Sequence, residues 1–353
     1  MRTGLCSLAR KSMWKSKRSV HSKRQRWNTL LQKRCKDLVQ RSFKETETHN
    51  RMIFEDDKVK TMDFSTLQTL VPIHGVLMGK ELAENWERIE QFEARSDDLL
   101  ISTYPKAGTT WASEIVDMIY ADGDHEKCRR DAIYNRVPYL EFRIPNMPSG
   151  VEQLDGAPSP RLVKTHLPIQ LMPDSFWKKN SKIIYVARNA KDVAVSYFFF
   201  HKIVKALPDP GPWNTFLDNY MNGNVGYGSW HDHVKGWWEK RHDYNILYLF
   251  YEDMKEDPKR EIKKMLHFLE KEMSDETLEK IVYHTSFDIM KTNDMANYKT
   301  IPNDILDQST TPFMRKGIAG DWKNHFTVAQ NEIFDEDYKK KMTGTGLQFR
   351  NEI

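Results

Sequence analysis

Four short stretches that are apolar almost throughout constrain this chain more than any other feature: residues 99–104, 161–165, 182–187 and 245–251. Runs of this length with little polar alternation suit strands buried on both faces, as in a parallel sheet covered by helices. Helical periodicity lies between or after them. It covers 109–119, with Ile115, Met118 and Ile119 on one face, then 192–200, and 258–269, where Pro258 is a start signal. Strands alternating with helices predict an α/β fold, a three-layer sandwich around a central parallel sheet. Ligands collect at the carboxyl ends of such strands, and there the unusual residues of this chain cluster.

Charge is unevenly spread. Residues 1–41 hold thirteen Lys and Arg against the single acid Asp37, and the remaining chain carries 41 basic and 49 acidic residues. The basicity belongs to the tail, so the net charge of +4 says little about ligands. The tail loosely fits a mitochondrial presequence or, at 23–26, a nuclear-import cluster. Its composition reads more simply as a disordered basic extension over 1–61, followed by one domain over 62–353 with Met62 as a natural first residue. No stretch reaches 18 apolar residues, the minimum for a spanning helix. The three cysteines, Cys6, Cys35 and Cys128, are too scattered for a disulfide framework or zinc site, which suits a reducing, cytoplasmic setting.

The first strand runs into Thr103-Tyr104-Pro105-Lys106-Ala107-Gly108-Thr109-Thr110-Trp111 and then a helix. Gly108 permits a tight turn, the helix start offers unpaired N–H groups, Lys106 adds charge, and Thr109 and Thr110 add hydroxyls. This has P-loop logic, but Lys precedes Gly and the Gly-Lys-Ser/Thr order is missing. The second strand ends in Lys164-Thr165-His166-Leu167-Pro168. An imidazole there titrates in the range of a base, while Lys106 and Lys164 offer positive charge to oxygens that gain charge. After the third strand, Arg188 can grip a phosphate through its fork of donors, with Ser196 further along the helix; capping or bridging to Asp192 is the rival reading of Arg188.

The stretch 104–111 resembles the phosphosulfate loop of the cytosolic sulfotransferases, and the similarity continues after about residue 70, nearest to the phenol-type group. The resemblance implies the sulfotransferase fold and the donor PAPS (3′-phosphoadenosine 5′-phosphosulfate), with no metal. Lys106, Ala107, Gly108, Thr109 and Thr110 would hold the 5′-phosphosulfate, Ala107 standing where many members have Ser. Trp111, Tyr251, Thr285, Ser286 and Phe287 would line the adenine. Arg188, Ser196, Arg315, Lys316 and Gly317 would hold the 3′-phosphate. His166 would be the general base, with Lys106, Lys164 and Ser196 in the catalytic set. Tyr139 and Phe142 would line the acceptor pocket, and Lys323, Thr327, Val328 and Glu332 fit the family's short homodimer motif. The acceptor would be a small phenol, catechol, hormone or arylamine.

Rival readings have weaker support. A P-loop phosphotransferase wants a magnesium-binding acid after a strand, for which Asp253 is only a weak candidate. A catalytically idle nucleotide-binding protein has no need of Lys106, Lys164, His166 and Ser196 together. A glycan-directed Golgi sulfotransferase would carry a membrane anchor. His231-Asp232-His233 lacks a third ligand nearby and reads as a loop exposing two imidazoles. Gly223, Gly226 and Gly228 follow no strand, as a dinucleotide loop would. Phe198-Phe199-Phe200 reads as buried helix.

Overall fold

The computed structural model describes residues 68–144 and 147–353; the expected extension over 1–61 lies outside them. The four apolar runs form the four strands of one parallel sheet: β3 (Leu99–Thr103), β4 (Leu162–Thr165), β5 (Lys182–Ala187) and β6 (Ile246–Phe250). Their order is β4-β3-β5-β6, with Leu99 opposite both Leu162 and Lys182. An unpredicted antiparallel hairpin precedes them, β1 (Leu70–Ile73) and β2 (Val76–Gly79). Its turn, His74-Gly75, has φ of 46° and 82°, which suits a tight two-residue connection.

Alternate residues of each strand enter different cores. Leu99 and Ile101 of β3, with Ile184 and Val186 of β5, pack under helix α1 (Thr109–Tyr120) among Ile115, Met118 and Ile119. Leu100, Ile183, Tyr185 and Ala187 face the opposite layer with Phe176 and Trp237. Both faces are covered, which is why these strands read as unbroken apolar runs.

The helices start and stop close to expectation. The second predicted helix is α2 (Ala190–His201), two residues earlier than expected, because the Asn189 side chain accepts the Asp192 N–H at 2.8 Å and caps it. Next come α3 (Trp213–Met221), α4 (Trp230–Lys240) and α5 (Tyr251–Glu256). The chain continues with α6 (Pro258–Phe268), begun by Pro258 under an Asp257 cap, then α7 (Asp275–His284) and α8 (Val328–Met342). Tyr251, expected at the end of a strand, instead opens α5.

The order β4-β3-β5 means that the chain leaves β3 in one direction to reach β4 and returns across it to reach β5. The connections diverge between β3 and β5, the switch point where open α/β sheets bind ligands. The loops after β3, β4 and β5 all exit at this edge. We expect Ile184→Ala, which empties a fully buried position at the centre of β5, to lower the unfolding free energy in urea by about 2–5 kcal/mol.

Candidate active site

The loop after β3 is built to hold an anion. Lys106 and Gly108 both take left-handed backbone angles, φ 68° and 111°. Gly108 is also hemmed in, since a Cβ there would lie 2.9 Å from the Tyr251 ring. As N-cap of α1 it provides no side-chain cap, so the first N–H groups of the helix stay open to a ligand. The loop is braced from below by the Tyr104 hydroxyl, which donates to the Gly228 carbonyl at 2.8 Å.

The Lys106 ammonium lies between the rings of Phe200 and Phe313, 4.1 and 4.2 Å from their centroids. Burial, then repulsion from Arg188 and Arg315, pulls its pKa down to about 7. No carboxylate pairs with it among the described residues. Arg188, buried at the exit of β5, donates to the carbonyls of Ile318 at 2.9 Å and of Lys106 at 3.3 Å. Its guanidinium stacks 4.4 Å over Tyr251, its Nε has no partner, and Asp192 is only a distant 3.8 Å counter-ion. Bridging to Asp192 is thus a minor part of its environment. Positive groups crowded together with an orphaned N–H fit a bound polyanion.

Arg315 and Lys316 are both paired with the buried carboxylate of Asp321, at 2.6 and 2.5 Å. Gly317 has φ 64°, and a Cβ on it would meet the Phe287 ring at 2.1 Å. Trp111 meets Tyr251 edge to face at 5.5 Å, its indole nitrogen buried without a partner. The Thr109 hydroxyl bonds Thr103 Oγ1 at 2.6 Å and Thr110 reaches Tyr298 at 3.5 Å. The Thr285 hydroxyl is spent on the Ile281 carbonyl at 2.7 Å. Ser196 is half-buried on α2, and its side chain makes no hydrogen bond among the described residues.

His166 stands at the exit of β4. Its Nδ1 lies 2.8 Å from the Thr103 carbonyl, which can only accept, so Nδ1 carries the hydrogen and Nε2 keeps the lone pair. Nε2 accepts from the Tyr139 hydroxyl at 2.9 Å. Burial, with smaller contributions from His233, Lys164 and Lys106, holds the imidazole down to about 3, so it stays neutral at physiological pH. Lys164 is fully buried, 4.5 Å over the Tyr139 ring and 3.4 Å from the Tyr298 hydroxyl. Burial and the Arg136 charge pull it to about 7. Tyr139 therefore contacts the His166 ring directly, whereas Phe142 makes no ring contact with that imidazole among the described residues.

Several neighbours of these residues escaped the sequence reading. The Glu141 carboxylate, buried and raised in pKa by that burial, accepts the His166 N–H at 2.7 Å and the Thr165 hydroxyl at 2.8 Å. Tyr298, in a loop with φ 63°, touches Thr110, Lys164 and Phe313. The segment 231–233 is not an exposed loop: it is the start of α4, and both histidines are 1% exposed. The stripe Trp230, Val234 and Trp237 was the available signal. Phe198 is buried, but Phe199 and Phe200 turn their faces to Arg315 and Lys106. Asp253 pairs with Arg350 at 2.5 Å. Lys323 is paired with Glu352, Thr327 caps α8, and Val328 and Glu332 are exposed.

A parallel α/β sheet whose switch point carries a capless helix start, an arginine-bearing loop and a neutral imidazole has the features of a nucleotide-dependent group-transfer enzyme. Residues 96–346 match the family model described as a sulfotransferase domain. Sulfotransferase 1 family member D1 of Rattus norvegicus is 62% identical over 284 residues, covering 80% of this chain and 96% of the relative. Sulfotransferase 1B1 of Canis lupus familiaris is 59% identical over 287 residues, covering 81% and 97%. Among solved structures, mouse sulfotransferase SULT7A1 complexed with PAP aligns with TM-score 0.66 and 34% identity over 78% of this chain and 94% of that one. Retinol dehydratase in a complex with retinol and PAP aligns with TM-score 0.72 and 26% identity over 84% and 96%. The chain belongs to the sulfotransferase family, among its family-1 members, and the α/β expectation and the resemblance both hold.

The buried histidines carry a pH signature. His231 and His233 are held near 4, each chiefly by burial, against an ordinary 6.5. As pH falls below 6.5 the unfolded chain takes up protons that the folded chain refuses, so stability is complete above that value and declines toward 4. At pH 5 each group removes about 2 kcal/mol. We expect urea midpoints to drop between pH 7 and 5, and His231→Leu, whose ring nitrogens have no partner, to make that drop shallower.

Proposed function

We propose that this enzyme moves the sulfuryl group of PAPS to the hydroxyl of a small phenolic acceptor by direct in-line attack. The observation that carries the reading is the fixed tautomer of His166, which leaves the lone pair on Nε2, on an imidazole whose pKa Lys164 and Lys106 help to lower. His166 Nε2 takes the acceptor's proton as the new O–S bond forms. Lys106 offsets the charge that builds on the departing phosphate oxygen, and Lys164 steadies the sulfuryl oxygens. The donor supplies the activated sulfuryl group and leaves as 3′-phosphoadenosine 5′-phosphate.

The donor assignment is supported by cations at two places, Lys106 with the α1 start, and Arg188 tied to the segment that carries Arg315 and Lys316, as a nucleotide with phosphate on its ribose requires. PAP in the related complexes agrees with it. A phosphotransferase reading loses its acid, because Asp253 is engaged by Arg350. The Tyr139 ring beside His166 favours a flat aromatic acceptor. We take residues 62–353 as one catalytic domain. A cytoplasmic setting is supported by the family-1 kinship and by the unpaired, buried Cys128 thiol.

We further propose a homodimer through Lys323, Thr327, Val328 and Glu332, supported by Val328 being 77% exposed and Ile333 61% exposed on α8. So short a segment makes a small interface. Val328→Glu is expected to convert the dimer to monomer in sedimentation experiments, and a wild-type protein that sediments as monomer would remove the proposal. His166→Ala is expected to abolish turnover of PAPS with 4-nitrophenol while PAP binding stays within about twofold of wild type; near-normal turnover would take His166 out of the mechanism.

A further inference from the structure

We infer that His233, with its tautomer set by Tyr185, is a positioning residue for His166: it holds the peptide that carries the base, and so decides where Nε2 sits. The inference rests on His166 being the general base.

Beyond Thr165 the chain has left the sheet, and ladder hydrogen bonds no longer fix it. Its polar groups are taken up by side chains instead. The His166 N–H donates to Glu141 at 2.7 Å, and the His166 carbonyl accepts from His233 Nε2 at 3.0 Å. The Leu167 N–H donates to Thr165 Oγ1 at 3.0 Å, and the Leu167 carbonyl accepts from the Trp237 indole at 3.4 Å. His233 and Trp237 are four apart on α4 and therefore share a face. One helix thus presents two ring N–H donors to two successive carbonyls, those of the base and of its neighbour.

Tyr185 decides that the His233 donor points the right way. A carbonyl can only accept, so Nε2 of His233 carries the hydrogen and Nδ1 must accept. The Tyr185 hydroxyl donates to that Nδ1 at 2.8 Å, in a region where both residues are buried. The Tyr185 ring also stacks on Trp237 at 5.3 Å and 23°. A single residue of β5 therefore orients both donors.

An ordinary helix–strand contact needs no such arrangement. Burying an imidazole, a phenol and a carboxylate is unfavourable unless every polar atom is matched, and apolar side chains would fill the same space with less penalty. The carbonyl between the two rings has no proton to pass on, so His233 does not relay charge. It acts through position: the Nδ1 bond of His166 to Thr103 is available only when the main chain at 166 is in place, and displacement of about an ångström in a reacting group costs up to about a hundredfold in rate.

The test uses Tyr185→Phe, His233→Gln and His233→Leu in the full chain, with initial-rate and single-turnover kinetics for PAPS and 4-nitrophenol, PAP titration, and circular dichroism for folding. Tyr185→Phe is expected to lower kcat and the single-turnover rate by about 5- to 20-fold, with both KM values and the PAP dissociation constant within about twofold. His233→Gln, which keeps a side-chain N–H, is expected to retain several times the kcat of His233→Leu. Wild-type kcat in folded Tyr185→Phe overturns the inference, as does a folded Gln variant no better than Leu. Should the His233 variants fail to fold, Tyr185→Phe alone decides. An inactive His166→Ala beside a full-rate Tyr185→Phe removes only His233 from its role, whereas an active His166→Ala removes the base on which the inference stands.

Discussion

The shared exit of three parallel strands at one sheet edge is the constraint on which this enzyme depends. Parallel pairing places the ends of β3, β4 and β5 side by side, with Ser102 opposite Thr165 and Tyr185. Residues more than sixty positions apart therefore meet without any loop having to reach far. Thr103, the last residue of β3, fixes the ring of His166 at the end of β4. Arg188, just past β5, closes onto the carbonyl of Lys106 in the loop after β3. The twin cores on either face hold this edge rigid, which is what a site built for near-attack geometry needs.

Electrostatics at that edge is deliberately unfinished. Lys106 is hemmed by Phe200, Phe313 and two arginines, and at about 7 its ammonium gives up its proton far more readily than an ordinary lysine. An anion placed beside it would favour the charged form. Lys164 stands at a similar value for a different dominant neighbour, Arg136. His166 is the opposite case, kept neutral chiefly by burial, with the same lysines adding to it. One low-dielectric pocket thus holds a proton acceptor and two groups ready to become cations, a separation of roles that water would erase.

Much of this could be read from residue order. The four strands were legible because burial on both faces removes alternation, and their ends differ from expectation by one residue or none. The loop at 104–111 and the residue His166 were legible because Gly, Lys and His stand directly after those strands. The supporting residues were not. Glu141 sits in a turn with no periodicity, and its meaning appears only when the Pro138–Leu140 segment joins Lys164 through two backbone hydrogen bonds. Tyr298 has no pattern around it at all. The pair at 231 and 233 was misread because two imidazoles flanking an aspartate look solvated, while the Ser229 cap and the stripe through Trp237 that bury them are helical signals.

The segment carrying Arg315 to Gly317 illustrates how the loop after β5 organises more than its own residues. Asp192, in the first turn of α2, accepts the N–H groups of Gly320 at 2.8 Å and Trp322 at 3.0 Å. Arg188 takes the carbonyl of Ile318 in the same segment. Asp321, thereby placed, holds Arg315 and Lys316 as a pair whose charges would otherwise drive them apart. The glycine at 317 follows from this docking: the backbone must turn left-handed against the face of Phe287, where no Cβ fits. The strand end, the helix cap and the distant segment are therefore one assembly, and the positions of Arg188, Arg315 and Lys316 are set by hydrogen bonds and ion pairs within the protein itself.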